Sequence, residues 1–241
     1  MKKFIFLFLV AVSVANAHFL TFIPTTDNVK TKKQATIKFD AMFIHPFEQT
    51  GMTMEKPKGI YIENKKDSLP LIQTIKFDHK AWETSYKIKR PGVYKFFVQP
   101  EPYFEPDEQK YISHVPKTIV SAYGIEDGWD EPIGLKYEII PMSKPFALYA
   151  GNIFTGKVLH NGKPASNVEV EVELYNEFGL KAPSDSHITQ VVKTDGNGNF
   201  SFVMNHKGWW GFAALIEEGK KEYKGKLYPI ENGALLWIKA Y

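Results

Sequence analysis

Val168-Glu169-Val170-Glu171-Val172-Glu173-Leu174 alternates apolar and acidic residues without a break. Successive side chains of a strand point to opposite faces, so this run reads as a β-strand with one apolar and one acidic face. Before it, Ile153–Leu159 reads as another strand, turned by His160-Asn161-Gly162-Lys163-Pro164. After it, Thr194-Asp195-Gly196-Asn197-Gly198-Asn199 is a turn that feeds Phe200-Ser201-Phe202. Gly208-Trp209-Trp210-Gly211-Phe212-Ala213-Ala214-Leu215 reads as a core strand, and Ala234–Ile238 closes the unit. The unit starts near Ala147.

Residues 18–145 read as a second set of short strands cut by Pro and Gly. His18–Ile23 is apolar and ends at Pro24, and Thr36–Phe43 alternates for most of its length before Ile44-His45-Pro46. Gln49–Lys58 is expected as a loop, with strands at Gly59–Glu63, Leu71–Phe77 and Trp82–Ile88. Arg90-Pro91-Gly92 enters a strand through Val98, and the proline-dense Pro100–Pro106 is expected as a rigid surface loop. Strands resume at Tyr111–His114, Lys117–Tyr123 and Leu135–Pro141. No helix longer than two turns is legible. The expected fold is all-β: two tandem β-sandwich domains, residues 18–145 and 146–241.

The first 17 residues have the three parts of a secretory signal: Lys2 and Lys3, an apolar run from Phe4 to Val14, then Ala15-Asn16-Ala17. The apolar run is too short to span a bilayer, so export to the periplasm with cleavage after Ala17 is expected. Removing Lys2 and Lys3 from 30 basic residues leaves 28 against 27 acidic ones, which gives no signal for a nucleic-acid partner. There are no cysteines, so disulfides, thiol nucleophiles and Cys-held metals are excluded. A chain beginning at His18 carries an α-amine and an imidazole on one residue. Together they close a six-membered chelate ring through the amine and Nδ1, once the amine has lost its proton.

Three of the seven histidines have settings that suit a metal ligand. His18 has the new terminus, His45 is held extended before Pro46, and His114 lies at an expected strand end before Val115-Pro116. Imidazole suits Ni, Cu, Zn and Co. Met52 and Met54 follow His45 and are soft donors or gap-filling residues. Glu48 and Glu55 in the same loop are candidate partners that orient an imidazole. His79, His160 and His206 sit in polar turns, and His187 in a Ser/Asp-rich loop. Asp195-Gly196-Asn197-Gly198-Asn199 lacks the downstream glutamate of a calcium loop, since position 206 is His, and is read as a turn. Trp209-Trp210 is expected as core. No nucleophile elbow, zinc-protease motif or phosphate loop occurs, so an enzyme is not expected. Two alternatives stand beside metal capture. One is a copper-binding protein or histidine-brace oxygenase, and the other is a structural envelope protein.

The order strand, Asn-Gly-Lys-Pro turn, alternating strand, Asp-Gly-x-Gly turn, strand resembles the transthyretin-like or carboxypeptidase-regulatory-like sandwich. The chain as a whole resembles an exported domain-of-unknown-function family found beside nickel and cobalt energy-coupling transporters. Ala17-His18-Phe19, Phe43-Ile44-His45-Pro46, Arg90-Pro91-Gly92-Val93-Tyr94, Pro100–Pro106, Gly128-Trp129-Asp130-Glu131-Pro132 and Gly208–Ala214 carry the resemblance. It implies a periplasmic protein that binds Ni(II), or Co(II), through His18, His45 and His114, and works with a membrane transporter; Cu(II) stays open as an ion for the same residues. The chain departs from the family at Val115, where an aromatic residue is expected.

Overall fold

A computed structural model describes residues 19–63 and 67–241; His18 and the expected signal segment lie outside them. The expected all-β class holds, and the strands of the described residues form three sheets. The first orders β1 (Phe19–Pro24), β3 (Thr36–His45), β7 (His79–Lys87) and β6 (Ile72–Lys76), with β4 (Thr50–Met52) folded back on β3. The third joins β11 (Tyr137–Pro141), β12 (Ile153–His160) and β13 (Lys163–Pro164), with β16 (Asn199–Val203) also on β12.

Between them lies the largest sheet. Its order is β15 (Gln190–Lys193), β14 (Glu169–Leu174), β17 (Gly208–Tyr223), β18 (Lys226–Ala240), β10 (Lys110–Ala122), β8 (Gly92–Gln99) and β5 (Gly59–Ile62). β2 (Asn28–Val29) and β9 (Tyr103–Glu105) also pair with β10. Strands from both halves of the chain therefore share one sheet. Their seam is the parallel ladder of β10 and β18, from Tyr111 opposite Ile230 to Thr118 opposite Trp237.

The middle sheet feeds two cores because side chains alternate across it. One face packs Phe96, Trp209, Ala213, Leu235 and Trp237 against Phe22, Phe39 and Phe43 of the first sheet. The other packs Trp210, Phe212, Ala214 and Leu236 against Phe154, Val158 and Phe200 of the third. Trp209 and Trp210 are neighbours in sequence but lie in different cores, both buried. Each large apolar side chain so buried contributes about 1.5–3 kcal/mol.

Where the strands differ from expectation, pairing is the reason. Residues 110–122 form one strand, not two, although Pro116 lacks a ladder donor. The free flank of β10 is covered by β9 at residues 110–112 and by β8 at 119–121, and Pro116 falls between them. The expected proline loop contains the short edge strand β9, and the expected loop after residue 49 contains β4. β17 and β18 extend far beyond the apolar runs that announced them. Their hairpin closes through Lys224 and Gly225 at φ of 50° and 79°, the left-handed pair of a tight two-residue turn. The charged residues of this ribbon hid it from apolar periodicity.

Gly211 of β17 lies under aromatic rings of β18 and β1. A Cβ there would sit 2.8 Å from the Trp237 ring and 3.1 Å from Phe19 Cδ1. Trp237 is fixed edge-on to Phe19, and its indole N–H donates to the Leu20 carbonyl at 3.1 Å. Replacing Gly211 with Ala is expected to lower stability by about 1–3 kcal/mol through overpacking. Chemical denaturation checks this; unchanged stability would mean the layers are looser than described.

Candidate metal centre

His45 is the last residue of β3. The first described residue of β1, Phe19, pairs with Ile44, so the start of β1 lies beside His45. After His45 the chain reverses through Gln49, whose φ is 57° and whose N–H donates to the His45 carbonyl at 2.9 Å. The second half of the chain holds this turn. Asn176 N–H donates to the Pro46 carbonyl at 3.1 Å, and Asn176 Nδ2 donates to the Phe47 carbonyl at 3.1 Å. Phe47 N–H donates to Glu173 Oε2 at 3.3 Å. The His45 side chain keeps 15% exposure, with Nδ1 4.0 Å from Glu48 Oε2.

His114 stands on β10 opposite Gly233 of β18 and is only 3% exposed. A Cβ at residue 233 would lie 2.4 Å from His114 Cδ2, so glycine there makes room for the ring. His114 Nε2 faces Glu231 Oε1 at 3.3 Å, while Nδ1 is buried without a hydrogen-bond partner. Lys110 Nζ bridges Glu231 and Glu108 at 2.5 Å each. Burial alone would push the Glu231 carboxyl up. Hydrogen bonds and charge from His114 and Lys110 overcome this and hold it at about 2.

Two further carboxyls of β14 behave in the opposite way. Burial, then the nearby carboxylates of Glu231 and Glu173, push Glu171 up to about 8. Burial raises Glu173 to about 7, against the hydrogen bonds it accepts from the Thr189 hydroxyl and Phe47 N–H. The acidic face read from the alternating run is thus turned partly inward at this end of the sheet.

His114 lines a cavity of about 30 Å³ with Leu20, Phe43, Met54, Glu55 and Tyr103. That is room for about one water. Leu20 and Phe43 are partners across β1 and β3. His45 follows Phe43 by two residues and so shares its face, one step along from the cavity. Glu55 and Met54 therefore belong to the His114 side, and Glu48 to the His45 side. Met54 is buried in the first core, with its carbonyl accepting from Trp82 Nε1 at 3.2 Å, and Met52 packs against the same core. Among the described residues no three His, Asp or Glu side chains converge as a ready metal cage. His18 lies outside those residues.

Sequence reasoning missed Glu231, Gly233 and Glu171. Glu231 and Gly233 precede the apolar run of β18, in a segment with no periodic signal. Only the parallel register with β10 sets them beside His114.

The profile of the family described as "Domain of unknown function (DUF4198)" matches residues 15–218, and the chain belongs to that family. No curated protein matches the chain. Among solved structures, the D0-D1 domain of intimin is 15% identical over 92% of this chain and 97% of its own, with a TM-score of 0.26. Dimeric latent PorU from Porphyromonas gingivalis is 16% identical over 93% of this chain and 21% of its own, with a TM-score of 0.28. The Yersinia pseudotuberculosis adhesin InvE is 10% identical over 92% of this chain and 59% of its own, with a TM-score of 0.25. No helix among the described residues is long and apolar enough to cross a membrane.

The raised Glu171 pKa has a consequence for stability. Between its ordinary value of 4.5 and about 8, the folded chain holds a proton there that the unfolded chain has lost. This group's contribution therefore falls as pH rises through that window. Glu171→Gln is expected to flatten the decline, so its unfolding midpoint should drop less than wild type between about pH 5 and about pH 8. Parallel urea curves for the two proteins at both pH values would reject the raised pKa.

Proposed function

We propose that the protein is an exported metal-capture protein that binds Ni(II), with Co(II) as a second ion, and passes it to a membrane transporter. In this reading cleavage after Ala17 frees His18, whose amine and Nδ1 chelate the ion. His45 adds an imidazole. His114, through its unpartnered Nδ1, supplies a third from the middle sheet. A nitrogen-rich set suits these borderline ions. Glu231 then serves as the carboxylate that orients the His114 ring from its other nitrogen, the role such partners commonly take beside metal-binding imidazoles.

The observation that carries the proposal is the β1–β3 register. Phe19 pairs with Ile44, and chain connectivity tethers residue 18 within about 3.8 Å of the Phe19 Cα. That brings a cleaved terminus to the end of β3, where His45 is still open to solvent at 15% exposure. The turn that carries His45 is fixed by three hydrogen bonds with the second half of the chain. Membership of a DUF4198 family supports the family resemblance, and the link to nickel or cobalt transport is part of this proposal.

Calorimetric titration with Ni(II) tests it on three proteins: one beginning at His18, one with a single alanine added before His18, and His45→Ala. The added residue converts the His18 amine to an amide and so removes the six-membered ring through that amine and Nδ1. Each change is expected to weaken binding at least ~10-fold, about 1.4 kcal/mol. Equal affinity for the first two proteins would rule out the N-terminal chelate.

A further inference from the structure

The β17–β18 hairpin leaves the layered body. β14 pairs with β17 only as far as Leu215, and β10 pairs with β18 only from Ile230 onward. Beyond these points, after a register shift between Glu217 and Lys220, residues 220–223 and 226–229 pair with each other as a two-stranded ribbon. Such a ribbon is marginal alone. An aromatic cluster along one of its faces, reaching Tyr223 beside the turn, supports this one. Phe104 stacks on Tyr223 at 4.1 Å, meets Tyr228 edge-on at 4.8 Å and lies 5.2 Å from Tyr111.

Lysines surround these rings. Lys221 lies 5.0 Å from the Tyr111 ring, Lys224 5.0 Å from Tyr223 and Lys226 4.8 Å from Tyr228. With Lys220, the outer part of the ribbon, residues 220–228, carries four lysines against Glu222 alone, a net of +3; Glu217 and Glu218 lie nearer the body. At the tip Leu227 is 61% exposed and Tyr223 36%.

A cluster of lysines, a tyrosine with an apolar body and polar tip, and an exposed leucine are what the interface of an anionic bilayer accepts. An acidic polypeptide or nucleic acid would engage the lysines equally but would leave Leu227 without use. We propose that the tip of this ribbon, residues 220–228, docks on an anionic phospholipid surface, with Leu227 and Tyr223 at the headgroup level and the lysines on the lipid phosphates. The inference is independent of the metal reading. It would hold the His114 end of β18, eight residues from the turn and roughly 27 Å along the strand, facing the membrane.

Vesicle co-sedimentation tests it, using the protein as recovered from expressing cells with its N-terminus determined. The vesicles are phosphatidylcholine alone and phosphatidylcholine mixed with phosphatidylglycerol. Wild type is expected to bind the anionic vesicles, to bind the neutral ones at least ~10-fold more weakly, and to be released by salt. Substituting Lys220, Lys221, Lys224 and Lys226 together with Gln is expected to reduce anionic binding about 1,000-fold. Leu227→Ser should reduce it about 3-fold or more while leaving thermal stability unchanged. Failure to bind, equal binding to both vesicle types, or a Leu227→Ser variant that binds like wild type would overturn the proposal. So would a preference for polyglutamate that Leu227→Ser leaves intact, which would assign the tip to an acidic protein segment instead.

Discussion

The structure depends on the two-faced burial of its middle sheet. β17 and β18 have apolar layers above and below, so neither parity of residue can be polar along the covered length. Trp209 and Trp210, and Ala213 and Ala214, divide between the two cores as neighbours in sequence. A one-residue slip in this register would exchange the cores wholesale. Small residues are required where rings cross the sheet. Gly211 lies under Trp237 and Phe19, and Gly233 lies under His114. The parallel seam of β10 and β18 then makes the two halves of the chain one layered body.

The buried lysines of this body are paired. Lys117 and Glu138 are both about fully buried and pair with each other, and three backbone N–H groups from residues 133–135 donate to the same carboxylate. Burial lowers the Lys117 pKa, an effect that Glu138 opposes. Such a pair adds little net stability against an apolar replacement, but removing either partner would strand the other charge. At the chain's last residue, the Tyr241 hydroxyl donates to Asp27, which pins the C-terminus to the loop after β1.

The candidate site draws on the same interlocking. His45 belongs to the first sheet, yet the backbone of its turn is satisfied by Glu173 and Asn176 from the second half. His114 belongs to the middle sheet, and its carboxylate partner comes from the last strand. Neither half contains the arrangement alone. The inward acidic face of β14 has an electrostatic cost, seen in Glu171 and Glu173 keeping protons to near neutral pH.

By itself the sequence determined the all-β class, most strand positions and the histidines worth attention, because period-two alternation and Pro/Gly punctuation are local signals. The run Val168–Leu174 gave its strand correctly, but not that its glutamates would be partly buried. Tertiary structure decided the rest. It merged the segments around Pro116 into one strand and built the long charged ribbon after Leu215. It also brought Glu231 and Gly233 to His114. Those outcomes depend on which strands become neighbours and in what register, and hydrogen-bonding between residues about a hundred positions apart leaves no periodic trace in either one.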